Sequence, residues 1–136
     1  MKVDKDHVEL WWISLILRIA MASLFFVAAL SKFMMGLEGI SGYILAAFKD
    51  TFLPSWMLAP YSYILPFAEA LIPVWLLTGY KLRTGWIFTA FVLVTLAFGL
   101  AVSKQSAADV YIYLLVACLG IYLSRYDGCV LGGKKK

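Results

Sequence analysis

The sequence predicts an all-α membrane protein, a bundle of four transmembrane helices with an outer interfacial loop or helix between the first and the second. Its 136 residues are 63% hydrophobic, 16% aromatic and only 15% charged, which is more apolar surface than one small soluble core can bury. The apolar residues also form four long blocks, whereas a soluble bundle mixes in polar residues at the helical period. We therefore expect a single domain over residues 1–136.

The four predicted spans cover about residues 11–33, 61–80, 85–102 and 110–123. A helix needs roughly 20 apolar residues to cross the hydrocarbon, and a shorter span such as the fourth depends on aromatic side chains at its flanks. The connections after the second and the third spans are short. Short connections predict that consecutive helices are antiparallel neighbours.

The segment from Met34 to Pro60 is longer than a helical hairpin requires. It contains an apolar stretch at residues 43–48, followed by Lys49 and Asp50. This pattern is typical of a short helix that lies in the membrane interface. Two roles stay open for it, a lid over the end of the bundle and a docking surface for a partner.

The distribution of basic residues predicts the orientation. One side carries Lys2, Lys5, Lys81, Arg83, Arg125 and the three terminal lysines, and the other side carries Lys49 and Lys104. The richer side is expected to be cytoplasmic, so both termini would be cytoplasmic in a multi-pass protein of the inner cell membrane. Lipid headgroups are the expected counter-ions for the net charge of +4, and no nucleic-acid partner is expected.

Three ionisable residues lie within the apolar blocks, Arg18 and Lys32 in the first span and Glu69 in the second. A charge at membrane depth costs at least about 2.5 kcal/mol, so each should face the interior, find a partner or lie near an interface. The helical rise separates Arg18 from Lys32 by about 21 Å and puts Glu69 about 9 Å into its helix. Lys32 can therefore reach Glu69, while Arg18 lies closer to the inner face.

Glu69 stands between Pro66 and Pro73. Because Pro73 has no amide hydrogen, the carbonyl of Glu69 loses its usual helical partner. A carboxyl group and a free carbonyl at one depth make a polar pocket, which is the candidate site with Glu69 as its catalytic residue. Two alternatives stay open: Glu69 pairs with Lys32 only to fix helix packing, and Arg18 snorkels to lipid phosphate.

Ligands for a cofactor are scarce in this sequence. His7 is the only histidine and precedes the first span, so a haem with two axial histidines has no ligands here. No metal-ligand cluster and no CxxC pair is visible, so no metal site is predicted. We expect no cofactor bound by this chain alone, with a quinone as the candidate ligand that aromatic residues such as Trp75 would line.

Two segments carry a family resemblance, LRIAMASLFFVAALSKFMMG in the first span and PFAEALIPVWLLTGYKLRTGWIFTAFVLV across the second and third. They resemble the DoxX-like integral membrane proteins, over most of the chain up to about Val102. The positions that match the family are Arg18, Lys32, Glu69, Gly79 and Arg83. The family takes its name from a thiosulfate:quinone oxidoreductase with two membrane subunits, so the resemblance implies association with a redox system.

The candidate ligand-binding residues are therefore Arg18, Lys32, Glu69, Trp75 and Arg83. The first predicted function is a membrane subunit of a quinone-linked redox complex, part of an oxidoreductase and not catalytic alone, in which Glu69 exchanges protons with the quinol. The alternatives are a non-catalytic assembly subunit of a larger membrane complex and a small proton-coupled transporter. The lipid bilayer and other subunits of such a complex are the expected partners.

Overall fold

Five helices make up the computed structural model, which describes the backbone of residues 3–131 and the side chains of residues 8–125. The helices are α1 (Val3–Met35), α2 (Leu37–Ala47), α3 (Ser55–Thr78), α4 (Leu82–Val102) and α5 (Ala108–Leu131). No strand occurs in the described range. The predicted all-α class is confirmed, while Lys2 and the terminal lysines used to predict the orientation lie outside the described residues.

Four of these helices are long and apolar enough to cross a membrane. The candidate spans are Val8–Met35, Ser55–Thr78, Leu82–Val102 and Ala108–Arg125. Each span keeps large apolar side chains on its outer surface; Ile16, Phe91 and Leu115 are 62%, 67% and 71% exposed. Such faces suit contact with lipid chains.

The second span differs from its predicted bounds. It begins at Ser55 rather than at about residue 61, and Pro60 lies inside α3 together with Pro66 and Pro73. The sequence suggested that Pro60 ends the preceding loop, but a proline removes only one backbone hydrogen bond. Membrane helices tolerate that loss where neighbouring groups satisfy the freed carbonyl.

A separate short helix, α2, follows α1 directly, as predicted for the long connection. Gly36, with φ of 77°, joins the two helices in a conformation that glycine adopts without strain. Ile40 and Ile44 are buried on the side of α2 that faces the bundle, and α2 packs against α1 and α3. It therefore covers one end of the bundle, which we call the α2 end.

The opposite end, which we call the turn end, carries the tight connection between α3 and α4. Gly79 and Lys81 both adopt left-handed conformations there, with φ of 73° and 43°. Near this end α4 and α5 approach closely, because a Cβ added at Gly120 would lie 2.4 Å from the Trp86 ring. Glycine at position 120 thus makes room for a fully buried tryptophan.

Candidate functional site

Lys32 and Glu69 form an ion pair between α1 and α3. Lys32 Nζ donates a hydrogen bond to Glu69 Oε2, and the exposed fractions of the two side chains are 25% and 2%. Glu69 lies on the buried stripe of α3 that also contains Leu65 and Ile72, since residues three and four apart share a helix face. The structure thus brings together the two residues that the helical rise had placed within reach.

A cavity of about 350 Å³ opens beside this pair at the α2 end. Ile40 and Ile44 of α2 form one wall, Leu65 of α3 and Leu96 of α4 form others, and the charged residue in its lining is Lys32. Glu69 therefore meets the cavity through the ammonium group of Lys32. The volume lies at the small end of the range of about 300–1,000 Å³ for ligand pockets, enough for one ring with small substituents.

Two hydroxyl groups add polarity to the wall of the cavity. The Tyr61 hydroxyl donates to Thr95 Oγ1 at 3.1 Å, and the Thr95 hydroxyl donates to the backbone carbonyl of Val92 at 2.7 Å. Both side chains line the cavity. Sequence reasoning missed them, although Tyr61, Leu65 and Glu69 follow one another at four-residue spacing and therefore share a face of α3.

Arg18 lies near the turn end, away from Glu69. Its Nε donates to the backbone carbonyl of Leu76 at 2.9 Å, a carbonyl left without a helical partner because α3 ends at Thr78. A Cβ added at Gly79 would lie 3.2 Å from Arg18 Nη2. Arg18 therefore ties α1 to the last turn of α3.

The two other predicted ligand-binding residues also lie outside the cavity. Trp75 Nε1 donates to the Tyr80 carbonyl at 2.8 Å, and the Trp75 ring stacks on Phe88 with 5.7 Å between centroids. Arg83 is exposed at the start of α4. Of the predicted set, the structure joins Lys32 and Glu69, while the binding roles of Arg18, Trp75 and Arg83 remain predictions.

A metal centre has no ligand set within the described part of the chain, where no three His, Cys, Asp or Glu side chains converge. What the site contains is a buried carboxylate, an ammonium group shared between that carboxylate and a cavity, and a phenol. These groups can bind a small apolar molecule that carries polar atoms at one edge, and they can exchange protons with it.

Comparison with known proteins identifies one family. The model of the family described as "Methylamine utilisation protein MauE" matches residues 10–113. No curated protein and no solved structure matches the chain.

The resemblance to DoxX-like proteins is therefore wrong, since the family model that matches is a different membrane family. The misleading positions have packing roles that other helical membrane proteins can share. Arg18 closes the end of α3, and Gly79 forms the turn to α4.

Proposed function

The chain belongs to the MauE family, and we propose that it is a membrane subunit of a redox system for amine utilisation. Membership of this family supports a general redox-associated role in the membrane. The four apolar spans and the family together make the chain a multi-pass membrane protein in contact with lipid. Amine utilisation is the finer part of the proposal and rests on the family description alone.

We further propose that the cavity at the α2 end binds the ring of a quinone. The observation that carries this proposal is an apolar cavity of about 350 Å³ with the Lys32 ammonium in its wall and the buried Glu69 carboxylate behind it. A quinone complements such a cavity, because it has a flat apolar ring with polar oxygens at the edge of the ring. A long apolar tail would lie outside the cavity, in contact with lipid.

Interconversion of quinone and quinol transfers two electrons and two protons. The electrons are exchanged with a redox centre on a partner chain. Lys32 is placed to hydrogen-bond a ring oxygen, because an ammonium group has three donors and one of them bonds Glu69. When the quinol is oxidised, Glu69 takes up one of its two protons through Lys32, and the burial of Glu69 keeps that proton away from bulk water. The second proton passes to water outside the cavity, and reduction of the quinone reverses both transfers.

Glu69→Gln tests this role in membranes that contain the natural partners. We expect at least about tenfold lower quinone-dependent turnover, since an amide cannot take up the exchanged proton. Glu38→Gln is the matched control, because Glu38 is an exposed carboxylate on α2, and it should leave turnover unchanged. Co-purification of the partners must be normal for both variants. Unchanged turnover with Glu69→Gln would remove the proton role.

An assembly subunit is the second candidate, and a specific observation favours it. Arg18 and Lys32 both join α1 to α3, through Leu76 and Glu69 respectively, so these charges already have packing roles. A double variant, Lys32→Met with Glu69→Leu, separates the two functions because it replaces the pair by apolar groups of similar size. Full turnover of the complex with this variant favours assembly, and lost turnover with intact assembly favours the ligand site.

We also propose that the turn end faces the cytoplasm of a cell with an inner membrane. Lys81, Arg83 and Arg125 lie at that end, against Lys49 and Lys104 at the α2 end, and basic residues favour the cytoplasmic side. A reporter domain that is active only in the cytoplasm should be active when it is fused to either terminus. A reporter that is active only on the outer side should be inactive at the same positions, and its activity there would reverse the proposed orientation.

A further inference from the structure

The direction of the hydrogen bonds in the cavity wall follows from the partners of Thr95. Its hydroxyl has one hydrogen, which goes to the carbonyl of Val92, an acceptor that has no hydrogen to give. The contact between Tyr61 and Thr95 must then use the Tyr61 hydrogen. Tyr61 therefore gives its hydrogen away from the cavity.

The phenolic oxygen of Tyr61 keeps its lone pairs, and Tyr61 lines the cavity. Tyr61 thus presents an acceptor to a bound ring and no donor. Lys32 also lines the cavity, and its ammonium group presents only donors. The lining of the cavity accordingly offers one donor group and one acceptor group.

The two redox forms of the proposed ligand differ in what they need from these groups. A quinone oxygen only accepts, so it suits Lys32 but opposes the lone pairs of Tyr61. A quinol carries two hydroxyl groups that each donate and accept, so the quinol can accept from Lys32 and donate to Tyr61 whether one hydroxyl or both are used. To bind the quinone equally well, Tyr61 would have to break its bond to Thr95.

We infer that the cavity binds the quinol form in preference to the quinone form, and that the Tyr61–Thr95 pair sets this preference. The inference rests on the proposed ligand site and adds which redox form the site favours. In this account Tyr61 contacts the ligand, and Thr95 is a positioning residue that acts through Tyr61. The expected preference is roughly tenfold in Kd, about what one hydrogen bond contributes.

The test uses the full chain in lipid nanodiscs, with a short-tailed benzoquinone and its quinol as probes under anaerobic conditions. Equilibrium dialysis gives a Kd for each form. Thr95→Val keeps the shape of the side chain but removes the acceptor for Tyr61, which frees the Tyr61 O–H to donate into the cavity. We expect this variant to bind the quinone more tightly than the wild type and to lose the preference for the quinol.

Three further variants complete the experiment. Tyr61→Phe should lose the preference mainly through weaker binding of the quinol, because the acceptor for the quinol hydroxyl is gone and no donor for the quinone replaces it. Thr95→Ser keeps the hydroxyl and should retain the preference. Thr84→Val, an exposed threonine at the start of α4, is the control for the substitution itself and should behave as the wild type.

The outcomes separate this inference from the proposed function. Equal Kd values for the two forms in the wild type, or an unchanged ratio in Thr95→Val with a normal unfolding midpoint, would overturn the inference and leave the ligand site standing. If the wild type binds neither form, the ligand site itself is wrong and the inference fails with it.

Discussion

Each end of the bundle has its own basic residue of α1, and the two residues make different kinds of contact. At the α2 end Lys32 bonds the carboxylate of Glu69, and at the turn end Arg18 bonds the backbone carbonyl of Leu76. The first contact joins two ionisable groups that can exchange a proton. The second joins a permanently charged guanidinium to a carbonyl that cannot titrate, so this contact holds the helices together without exchanging a proton.

The space beside the two contacts differs as well. A cavity of about 350 Å³ has Lys32 in its lining, whereas the cavity of about 700 Å³ between α1 and α5 has no charged residue among the described residues of its lining, although it reaches Leu17 and Met21 on either side of Arg18. At the turn end the helices also approach closely, with Trp86 against Gly120 and Trp75 against Gly85. A charged residue within a span is therefore not by itself a sign of a binding site. The chemistry of its partner and the space beside it distinguish a site from a packing contact.

The largest effect is expected from breaking the pair at the α2 end by Glu69→Ala. This change leaves Lys32 without its carboxylate in a region of low dielectric, and the free energy of unfolding should fall by about 3–5 kcal/mol. Unfolding in detergent micelles with increasing denaturing detergent measures it. A loss under about 1 kcal/mol would show that the ion pair is not a buried contact of the folded protein.

The double variant Lys32→Met with Glu69→Leu is the control for that loss. Because both charges are gone, its stability should return close to that of the wild type. Together with the single variants Lys32→Met and Glu69→Leu, the double variant completes a double-mutant cycle, which gives the coupling free energy between the two residues. Additive losses in the cycle would mean that Lys32 and Glu69 do not interact.

The turn end should respond instead to a change of volume. Gly120→Ala places a methyl group where the Trp86 ring lies at 2.4 Å, so the α4–α5 contact must open, at a loss near the upper end of about 1–3 kcal/mol. The control is Gly42→Ala, because nothing lies within 4 Å of a Cβ at that helical position. Equal unfolding midpoints for the two variants would contradict the closed packing at the turn end.

Much of the fold was predictable because long apolar segments of a sequence directly indicate the helices that lie in lipid. Four apolar blocks became four candidate spans, and the long connection contained the helix α2. The start of α3 at Ser55 was missed because Pro60 resembles a helix boundary in sequence. A proline signals a break locally, while the surrounding bundle decides whether the helix continues.

The candidate site was predictable only in part. The pairing of Lys32 with Glu69 follows from helical rise and the cost of isolated charges, both of which depend on sequence position alone. The cavity and the Tyr61–Thr95 bond depend on how α2 and α4 pack, which residue spacing does not contain. The contact of Arg18 was hidden for a similar reason, because its partner is a backbone carbonyl.

A smaller loss of stability is expected for substitutions of Arg18. Comparison of two of them distinguishes the contribution of its hydrogen bond from that of its charge. Arg18→Met removes the bond to Leu76 and should lower the free energy of unfolding by about 1.5–3 kcal/mol. Arg18→Lys should lose nearly as much, because the bond comes from Nε of the guanidinium and an ammonium lacks that planar geometry. Arg83→Met, at an exposed position, should change stability by less than about 0.5 kcal/mol. Full stability in Arg18→Lys would show that only the charge is needed.

Gly99→Ala narrows the cavity. We expect it to cause the smallest change in stability of these variants but a clear loss of ligand affinity. A Cβ at position 99 would lie 3.3 Å from the Phe48 ring, so the ring must shift within the cavity that both residues line. Better helix propensity offsets this contact, and stability should change by less than about 1 kcal/mol. Affinity for the short-tailed quinol should fall roughly tenfold, the effect of one methyl group too many in a closed pocket. Gly39→Ala is the control, because the atom nearest to the added Cβ would lie at an ordinary contact distance of 3.8 Å, and it should leave the affinity unchanged. If both variants bind the quinol equally well, the quinol ring does not occupy the space beside Phe48.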